Sequence, residues 1–327
     1  MPFLDKIYFI ILFKWVYLQQ KHPFMKYTEK FSPLNLMLIP FDERTCIFNN
    51  EFVMADNFQR LDNTLGFEDF VASPYPFKIQ FNMALFCLGG LMRVRLNLTE
   101  YCLHKNDILI VEAGAIGECL EASPDSMIGI IAFSNNYFIS ESNSQGATLI
   151  RQFLSISSLL PLSNEEMDEF LNIYHQMQQK IRQPDYRYKR EILMSYMRVL
   201  FCNCCQYMAS YLEKRQASPS SRKDRIFERF MQLLKEYYAS ERNIGFYADK
   251  LCLSPKYLSQ MVLAASGRHV KDWVQDYVIL EAKALLRSRQ YTVLQVSDML
   301  NFPNQSFFGV YFKKAVGCSP SVYQNME

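Results

Sequence analysis

The chain has 327 residues, half of them hydrophobic, and its formal net charge at pH 7 is only +2. This length suggests two or three domains, and the apolar content is ample for packed cores, which excludes a disordered chain. Nine cysteines stand at irregular spacing without a secretory signal, so we expect free thiols in a reducing cytoplasm rather than a disulfide framework.

Residues 1–24 read as a leader that is separate from the rest of the chain. Ile7 to Leu18 are apolar except for Lys14, but this run is shorter than the roughly twenty residues that a membrane helix needs. No small-residue cleavage site follows it, as a signal peptide would require. A start codon assigned too early explains the leader equally well, because an ordinary soluble sequence begins at Met25. We therefore expect no membrane contact, with a membrane-tethered interaction protein as an alternative.

Short strands are predicted for the next segment, residues 25–160. Hydrophobic residues alternate with polar or small ones from Ile79 to Leu85. After Gly89-Gly90 the alternation resumes from Met92 to Leu98, which predicts a half-buried hairpin. Two further hydrophobic runs complete a meander that is able to close into a small barrel: Asp107 to Val111 and Met127 to Phe133.

Such a barrel can also hold a metal enzyme, and the histidines bear on this alternative. A metal site needs two or three histidines and a carboxylate from neighbouring strands. Of the four histidines, only His104 lies in the predicted barrel, and the sequence contains no His-x-His. An unusual site would combine His104 with Cys102, Glu112 and Glu118, but a surface or core histidine is favoured. We therefore expect no catalytic residues, no metal, no cofactor and no enzyme.

Two helices are predicted at residues 161–213. Ser163 and Glu166 have the spacing of a capping box. Each helix then carries a hydrophobic stripe at three- and four-residue spacing: Met167, Phe170, Tyr174, Met177 and Ile181 in the first, and Leu193, Met197, Leu200, Cys204, Tyr207 and Tyr211 in the second. Either the stripes pack on each other and on the barrel, or one stripe pairs with a second subunit. Nearby, Cys202, Cys204 and Cys205 are interpreted as packing residues, because only the first and last share a helix face.

The polar stretch from Lys214 to Lys223 lacks apolar periodicity and contains Ala217-Ser218-Pro219. It predicts an interdomain linker at residues 214–224.

One two-helix pattern occurs twice in the remaining segment, residues 225–327. Leu251 of the first copy matches Met299 of the second at an offset of 48 positions, whereas Leu258 matches Phe308 at an offset of 50. The second copy is therefore predicted to carry two extra residues at its turn. A short helix, a tight turn and a second helix, repeated, is typical of paired helix-turn-helix units.

The order of motifs in these copies resembles the DNA-binding domain of the arabinose-regulator (AraC/XylS-type) transcription factors. The residues that carry the resemblance are Leu253 to Ser259, Ser266-Gly267, Asp272-Trp273-Val274, Asn301 to Phe308, Phe312-Lys313-Lys314 and Gly317 to Tyr323. The resemblance implies a mixed α+β multidomain protein with an N-terminal cupin-like sensor barrel and a helical dimerisation hairpin. It places a C-terminal all-α domain of two helix-turn-helix units after them, joined by a long helix.

The same resemblance implies a ligand-responsive transcriptional regulator that binds double-stranded DNA, forms a homodimer and has RNA polymerase as a candidate partner. A small-molecule effector in the barrel would act by changing how the domains or subunits are arranged. The effector, the operator and the direction of regulation are not encoded in any pattern of this sequence.

The second helix of each unit is predicted to read DNA. Ser254 can cap a helix that begins at Pro255, and the faces not needed for a core are polar in both units. Gln and Asn can read an adenine edge, while Lys, Arg and His suit phosphate contacts. The candidate DNA-binding residues are Lys256, Tyr257, Ser259, Gln260, Arg268, His269, Lys271, Asn304, Gln305, Ser306, Gly309, Val310, Lys313 and Lys314.

A continuous helix is predicted from Val270 to Ser288, between the two units, at a length of roughly 28 Å. That length is close to the spacing of about 34 Å between major grooves on one face of DNA, so one chain could reach two grooves. From Arg222 to the end, 15 basic and 10 acidic residues give this segment a modest formal surplus of +5. Gly309 and Val310 lack hydrogen-bonding side chains, so we expect the first unit to specify sequence and the second mainly to anchor.

Overall fold

The computed structural model describes residues 45–48, 52–58, 75–79, 81–133, 144–216 and 221–326. The leader at 1–24 lies outside the described residues. The strands are β1 (Cys46–Phe48), β2 (Phe52–Asp56), β3 (Phe77–Lys78), β4 (Asn82–Gly89), β5 (Met92–Leu96), β6 (Thr99–Leu103), β7 (Asp107–Val111), β8 (Ile116–Ala122), β9 (Met127–Phe133) and β10 (Leu159–Pro161). The helices are α1 (Ser144–Leu154), α2 (Asn164–Arg182), α3 (Lys189–Gln216), α4 (Arg222–Tyr237), α5 (Ile244–Lys250), α6 (Pro255–Ser266), α7 (Val270–Arg287), α8 (Val293–Met299), α9 (Gln305–Val316) and α10 (Pro320–Asn325).

The N-terminal strands form two antiparallel sheets. Six strands are ordered β1-β2-β9-β4-β7-β10, and four are ordered β3-β8-β5-β6. The two sheets share one apolar core, to which β4 contributes Met83 and Leu85 and β5 contributes Val94. Over the described ranges, no strand of one sheet pairs with a strand of the other, so the expected barrel is not seen to close. The coarser expectation, a sheet domain followed by a helical domain, is confirmed.

The predicted hairpin around Gly89-Gly90 is wrong. β4 pairs with β7 and β9 in the larger sheet, whereas β5 pairs with β6 and β8 in the smaller one. Gly90 has φ +67°, and a Cβ there would lie 2.6 Å from the backbone of Ser126, so the chain turns a tight corner. Both strands bury their alternate residues in the same core. Alternation alone therefore cannot distinguish a hairpin from a corner between facing sheets.

Helices α1, α2 and α3 cover the other face of the larger sheet. Both predicted hydrophobic stripes join one cluster with Met54 and Phe86 of the sheet, which favours the alternative in which they pack on each other. The predicted capping box is present, since Ser163 accepts a hydrogen bond from the Glu166 N–H and Glu166 accepts one from the Ser163 N–H. The six-stranded sheet is thus buried on both faces.

The three neighbouring cysteines of α3 differ in their surroundings. Cys204 packs against the helical cluster, and burial raises the pKa of its thiol to about 12. Cys205 is half-buried, but Cys202 is exposed, so the packing role predicted for Cys202 is wrong. All nine cysteines of the chain are free thiols.

The predicted linker at 214–224 overlaps the ends of two helices. α3 continues to Gln216, and α4 begins at Arg222 after a capping box formed by Ser221 and Asp224. Of the five residues between these helices, 217–220 lie outside the described residues. Within the described ranges, no helix has the length and apolar content needed to cross a bilayer.

Helix α7 connects two separate cores in the C-terminal domain. Its first half contributes Val274 and Tyr277 to the cluster around α4, α5 and α6. Its second half contributes Ala282 and Leu286 to the cluster around α8, α9 and α10. The predicted long helix is confirmed within one residue of its predicted end, since Ser288 is the C-cap. Its 18 residues correspond to about 27 Å.

The C-terminal domain rests on the smaller sheet through β3 and the segment before it. The ammonium of Lys78 pairs with the carboxylate of Glu281 on α7, which also accepts a hydrogen bond of 2.8 Å from the Tyr238 hydroxyl. Further along α7, the guanidinium of Arg287 lies 3.4 Å from the ring centroid of Tyr75. These contacts attach the sheet domain to the helix that joins the two C-terminal cores.

Candidate nucleic-acid interface

Helix α6 is built as predicted. The Ser254 hydroxyl accepts a hydrogen bond of 3.2 Å from the Tyr257 N–H, and Pro255 occupies the first turn. The helix ends at Gly267, whose φ of +71° is left-handed. Leu258 is fully buried, while the side chains on the opposite face point to solvent. Cap, proline and glycine together set where this helix starts and stops.

Helix α9 repeats this design in the second unit. Asn304 caps it through a hydrogen bond of 3.0 Å from the Phe307 N–H, and Gly317 ends it with φ +91°. Both helices contain 12 residues between cap and glycine. The register therefore pairs Leu258 with Phe308, both fully buried, and Gln260 with Val310, both exposed. We call α6 and α9 the reading helices.

The turns before the two reading helices show that the sequence alignment of the two copies was shifted by one residue in their first helices. Cys252 and Asn301 both have left-handed φ values, of 56° and 53°, directly after the first helix of their unit. These two residues are 49 positions apart, so the first helices match at that offset and not at 48. The second turn therefore has one extra residue, and the prediction of two is wrong. The error arises because the sequence pattern aligns Leu251 with Met299, whereas the structure matches it to Leu300, the other C-cap.

Replacing Cys252 with asparagine should raise the free energy of unfolding by about 0.5 to 1 kcal/mol, because asparagine tolerates left-handed backbone better than other L-residues. Cys252 is exposed, so the change removes no buried packing. Thermal or urea unfolding of the full chain measures the gain. Cys252→Ala is the control, since it removes the same thiol but alanine has no advantage over cysteine in left-handed backbone. Equal effects of the two variants would contradict the prediction.

Most predicted DNA-binding residues lie on the surface of the two units. Exposed or half-exposed side chains are Lys256, Tyr257, Ser259, Gln260, His269, Lys271, Gln305, Ser306, Val310, Lys313 and Lys314, with Gly309 between them. Apart from His269 and Lys271, which lie at the start of α7, these residues lie on the solvent-facing sides of the two reading helices. Their contacts with DNA stay predictions.

Three predicted residues are already engaged within the protein. The guanidinium of Arg268 pairs with Asp276 and lies 4.4 Å from the Trp273 ring centroid. The cation that was predicted to contact a DNA phosphate therefore already has partners within the protein. The side-chain oxygen of Asn304 is used as the helix cap. The Ser259 hydroxyl donates a hydrogen bond of 2.8 Å to the Pro255 carbonyl. A contact of Arg268 with DNA would have to displace its ion pair, an exposed one of modest strength.

Phe307 is the main surface residue that the sequence reasoning missed. Its residue type places it on the buried side of α9, but its side chain is 63% exposed, whereas Phe308 and Phe312 are fully buried. Adjacent helical residues point about 100° apart around the helix axis, and the spacing of four between Phe308 and Phe312 places those two on the buried face. Comparison with Tyr257, its counterpart in the first unit, would have revealed this.

A second missed residue, Arg242, joins the two units. Its guanidinium lies 4.0 Å from the Phe302 ring centroid and donates hydrogen bonds to the Leu300 and Asn301 carbonyls in the second unit's turn. In return, the Asn301 side chain donates a hydrogen bond of 3.0 Å to the Ser240 carbonyl. Because Arg242 lies just before α5, these contacts help to set the orientation of one reading helix relative to the other.

A cavity of about 300 Å³ lies between the sheet domain and the C-terminal domain. Sheet residues and residues of α4 and α7 line it together, including Lys78, Lys235 and Tyr277. The Tyr277 hydroxyl is buried and has no hydrogen-bond partner among the described residues. Buried polar atoms are normally paired, so this hydroxyl is available to a bound molecule.

The four residues considered for a metal site do not form one cluster. Glu118 is paired with Arg95, while Glu112 lines the cavity between the domains. Cys102 and His104 are 3.9 Å apart, between Sγ and Nε2. Across the described part of the chain, no group of three or more His, Cys, Asp or Glu side chains is placed to hold a metal ion.

Replacing Gln260 with alanine should reduce discrimination at one base pair by about 1 to 3 kcal/mol, the value of one good bidentate base contact. Gln260 is exposed at the middle of α6, where a side chain can reach a base edge. Competitive binding of point-substituted DNA measures the discrimination. Gln176→Ala, at an exposed glutamine of α2, is the matched control and should leave base preference unchanged. An unaltered base preference in Gln260→Ala would show that Gln260 does not read a base.

Comparison with known proteins gives matches to this C-terminal region. Residues 247–326 match the family model for a helix-turn-helix domain. The arabinose operon regulatory protein of Salmonella typhimurium is 33% identical over 94 residues, which cover 28% of this chain and 34% of that protein. The uncharacterized HTH-type transcriptional regulator YobQ of Bacillus subtilis is 34% identical over 71 residues, covering 22% of this chain and 30% of that protein. The chain thus matches about a third of each relative's length.

Solved structures with similar segments were also found. The C-terminal domain of AraT, a response regulator from Geobacillus stearothermophilus, is 27% identical and covers 33% of this chain and 89% of its own, with a TM-score of 0.31. Wild-type ToxT from Vibrio cholerae, bound to an unsaturated fatty acid, is 13% identical and covers 85% of this chain and 96% of its own, with a TM-score of 0.39.

Proposed function

We propose that this protein is a sequence-specific, DNA-binding transcriptional regulator without a catalytic role, whose C-terminal double helix-turn-helix domain is of the arabinose-regulator (AraC/XylS) type. The observation that carries the proposal is the repeated reading helix. Two 12-residue helices, each capped, each ended by a left-handed glycine and each with one face buried, present their other faces to solvent. RNA polymerase is the partner through which such a regulator would act.

The two reading helices enter successive major grooves on one face of the DNA. Helix α7 spans about 27 Å between the two cores, close to the groove spacing of about 34 Å. The exposed cations at the C-terminal end of α9, Lys313 and Lys314, and at the start of α7, Lys271, contact phosphates and position the protein. A regulator that acts in this way works in the cytoplasm. Thiols stay reduced there, and all nine cysteines are free.

The test is genome-wide mapping of the DNA bound by the full chain in its own cells, followed by binding assays with the recovered sequences. We expect one recurrent sequence with two half-sites about one helical turn apart. Charge-removing variants Lys313→Ala and Lys271→Ala should weaken binding to all sequences. Each phosphate that is no longer contacted should reduce the slope of the salt dependence by about 0.9. Equal affinity for all DNA would contradict the proposed function.

The two facing sheets form a cupin-like sensor, and a small-molecule effector controls DNA binding. The space between the sheets is filled by apolar side chains, so the cavity between sheet and helical domain is the better effector site than the sheet interior. Its lining includes the Tyr277 hydroxyl, which has no hydrogen-bond partner in the described part of the chain, and the ammonium groups of Lys78 and Lys235. These groups suit a molecule with an anionic or hydrogen-bond-accepting end. An occupant would touch both domains and bias their arrangement.

Effector binding is tested by the melting temperature and DNA affinity of the full chain with a panel of small organic acids and their neutral amides. Some acids should raise the melting temperature and change DNA affinity, and Tyr277→Phe should weaken both responses. Tyr207→Phe, which removes a hydroxyl in the α2–α3 packing, is the matched control. Identical responses of the two variants would show that the effector does not bind in this cavity.

A homodimer forms through α3. The buried stripe of this helix is used within the subunit, but its opposite face exposes Ser195, Val199, Cys202 and Gln206 at four- and three-residue spacing, with Val199 47% exposed. That periodicity suits pairing with the same helix of a second subunit. Val199→Glu should convert a dimer to a monomer in sedimentation experiments, while Leu263→Glu on the reading helix should not. A monomeric parent chain would contradict this assignment.

A further inference from the structure

Two large apolar side chains stand exposed on the second reading helix. Phe307 is 63% exposed and Val310 is 71% exposed, the highest values among the exposed large hydrophobic residues of the described chain. They are three positions apart and so lie on one side of α9. Gly309 stands beside Val310, and a Cβ built on it would meet nothing within 4 Å. The surface around the pair is therefore open.

The core does not need either side chain. The second unit's cluster is filled by Phe308 and Phe312, both fully buried. In the first unit the corresponding positions are Tyr257 and Gln260, and the Tyr257 ring is half-buried, with the Arg222 guanidinium 5.7 Å from its centroid. The first unit thus presents a polar surface where the second presents an apolar one. Exposed apolar groups of this size commonly mark a contact with something else.

The surroundings of the pair indicate DNA as its partner. Lys313, three positions beyond Val310, and the adjacent Lys314 are exposed toward the C-terminal end of the same helix. Cations beside the pair suit flanking phosphates. Within the major groove, only thymine presents a methyl group, on C5, and side chains make apolar contact with it.

We propose that Phe307 and Val310 read thymine C5-methyl groups, so that the second unit specifies sequence and does not merely anchor the protein. This inference rests on the proposed function, because it requires α9 to lie in the major groove. The half-site beneath α9 then contains thymines that are selected by contact with apolar side chains. The expectation that the second unit mainly anchors rests on the absence of hydrogen-bonding side chains at Gly309 and Val310, but an apolar side chain can read a thymine methyl without a hydrogen bond.

Replacing thymine by uracil tests this directly, because uracil lacks only the methyl and keeps the same base pairing. The probe is the DNA recovered by genome-wide mapping, with thymines of the second half-site replaced one at a time. Each contacted methyl removed should weaken binding of the full chain about threefold to tenfold. Val310→Ala should weaken binding to thymine DNA by a similar factor and should be insensitive to the uracil at its own position. Its salt dependence should match that of the parent, since every phosphate contact is retained.

Two variants serve as controls for this experiment. Val322→Ala shortens an equally apolar, 53% exposed side chain of α10, outside the reading helices, and should leave both DNAs bound as before. Gln260→Ala should weaken binding to thymine and uracil versions of the second half-site by the same factor. If uracil at every position beneath α9 leaves affinity unchanged while the chain still selects a sequence, the methyl readout is overturned and the proposed function stands. If the chain selects no sequence, both the methyl readout and the proposed function are contradicted.

Discussion

Replacing Lys78 with methionine is expected to lower the free energy of unfolding by about 3 kcal/mol. The Glu281 carboxylate is 4% exposed and would be left with Tyr238 as its remaining hydrogen-bond donor. Removing one partner of a buried ion pair costs about 3 to 5 kcal/mol, and the lower end applies because the Lys78 side chain is 36% exposed. Urea unfolding of the full chain measures the loss.

The double variant Lys78→Met/Glu281→Leu separates the two explanations for such a loss. If the cost comes from a buried charge without its partner, removing that charge as well should recover most of the lost stability. If it comes from lost packing of the lysine stem, the double variant should be no better than the single one. Lys105→Met, at a surface lysine of the turn before β7, should be nearly neutral. A single-variant loss below about 1 kcal/mol would contradict the prediction.

The Lys78–Glu281 pair also has a functional position. It connects β3 of the sheet domain to α7, the helix on which both reading helices pack. Lys78 lines the cavity as well, so one ammonium group faces both the candidate effector site and the helix that spaces the reading helices. A charged occupant of the cavity would compete with Glu281 for Lys78. The DNA affinity of Lys78→Met should then respond less to any effector than that of the parent chain.

The sequence predicted best those features that depend on a few neighbouring residues. The capping box at Ser163, the Ser254-Pro255 helix start and the strand Asp107–Val111 all occur as expected. Each depends on a local hydrogen bond, a fixed φ or a short hydrophobic run, which the chain carries wherever it folds. The long helix Val270–Arg287 belongs to the same class.

Features that depend on packing between distant parts of the chain were harder to predict from the sequence. The corner at Gly89-Gly90 could not be distinguished from a hairpin, because both arrangements bury alternate residues on one side. The cavity between the domains needs β3 to meet α7, and the paired residues Lys78 and Glu281 are 203 positions apart in the chain. Phe307 was misplaced for a different reason. Its type suggests a core, and only the helical register relative to Phe308 shows that it faces away from one.

Phe308→Ala is expected to cost about 3 to 5 kcal/mol, because it empties a fully buried aromatic position in the core of the second unit. Phe307→Ala, one residue earlier and 63% exposed, should change stability by no more than about 0.5 kcal/mol. Chemical unfolding of both variants measures the contrast. Equal losses would mean that both rings support the core and would contradict the register of α9.

The same two variants distinguish an effect on the stability of the second unit from a direct effect on its binding to DNA. Phe308→Ala should lose DNA binding through local unfolding, since Phe312 and Leu286 belong to the same cluster and lose a packing partner. Phe307→Ala should keep a folded unit, with parent-like circular dichroism, and lose affinity only for DNA that carries thymine beneath α9. Leu258→Ala, the counterpart of Phe308 in the first unit, should cost about 2 to 5 kcal/mol there. Helix α7 contributes buried residues to both cores, but the two cores are separate clusters, so each loss should fall mainly on its own unit.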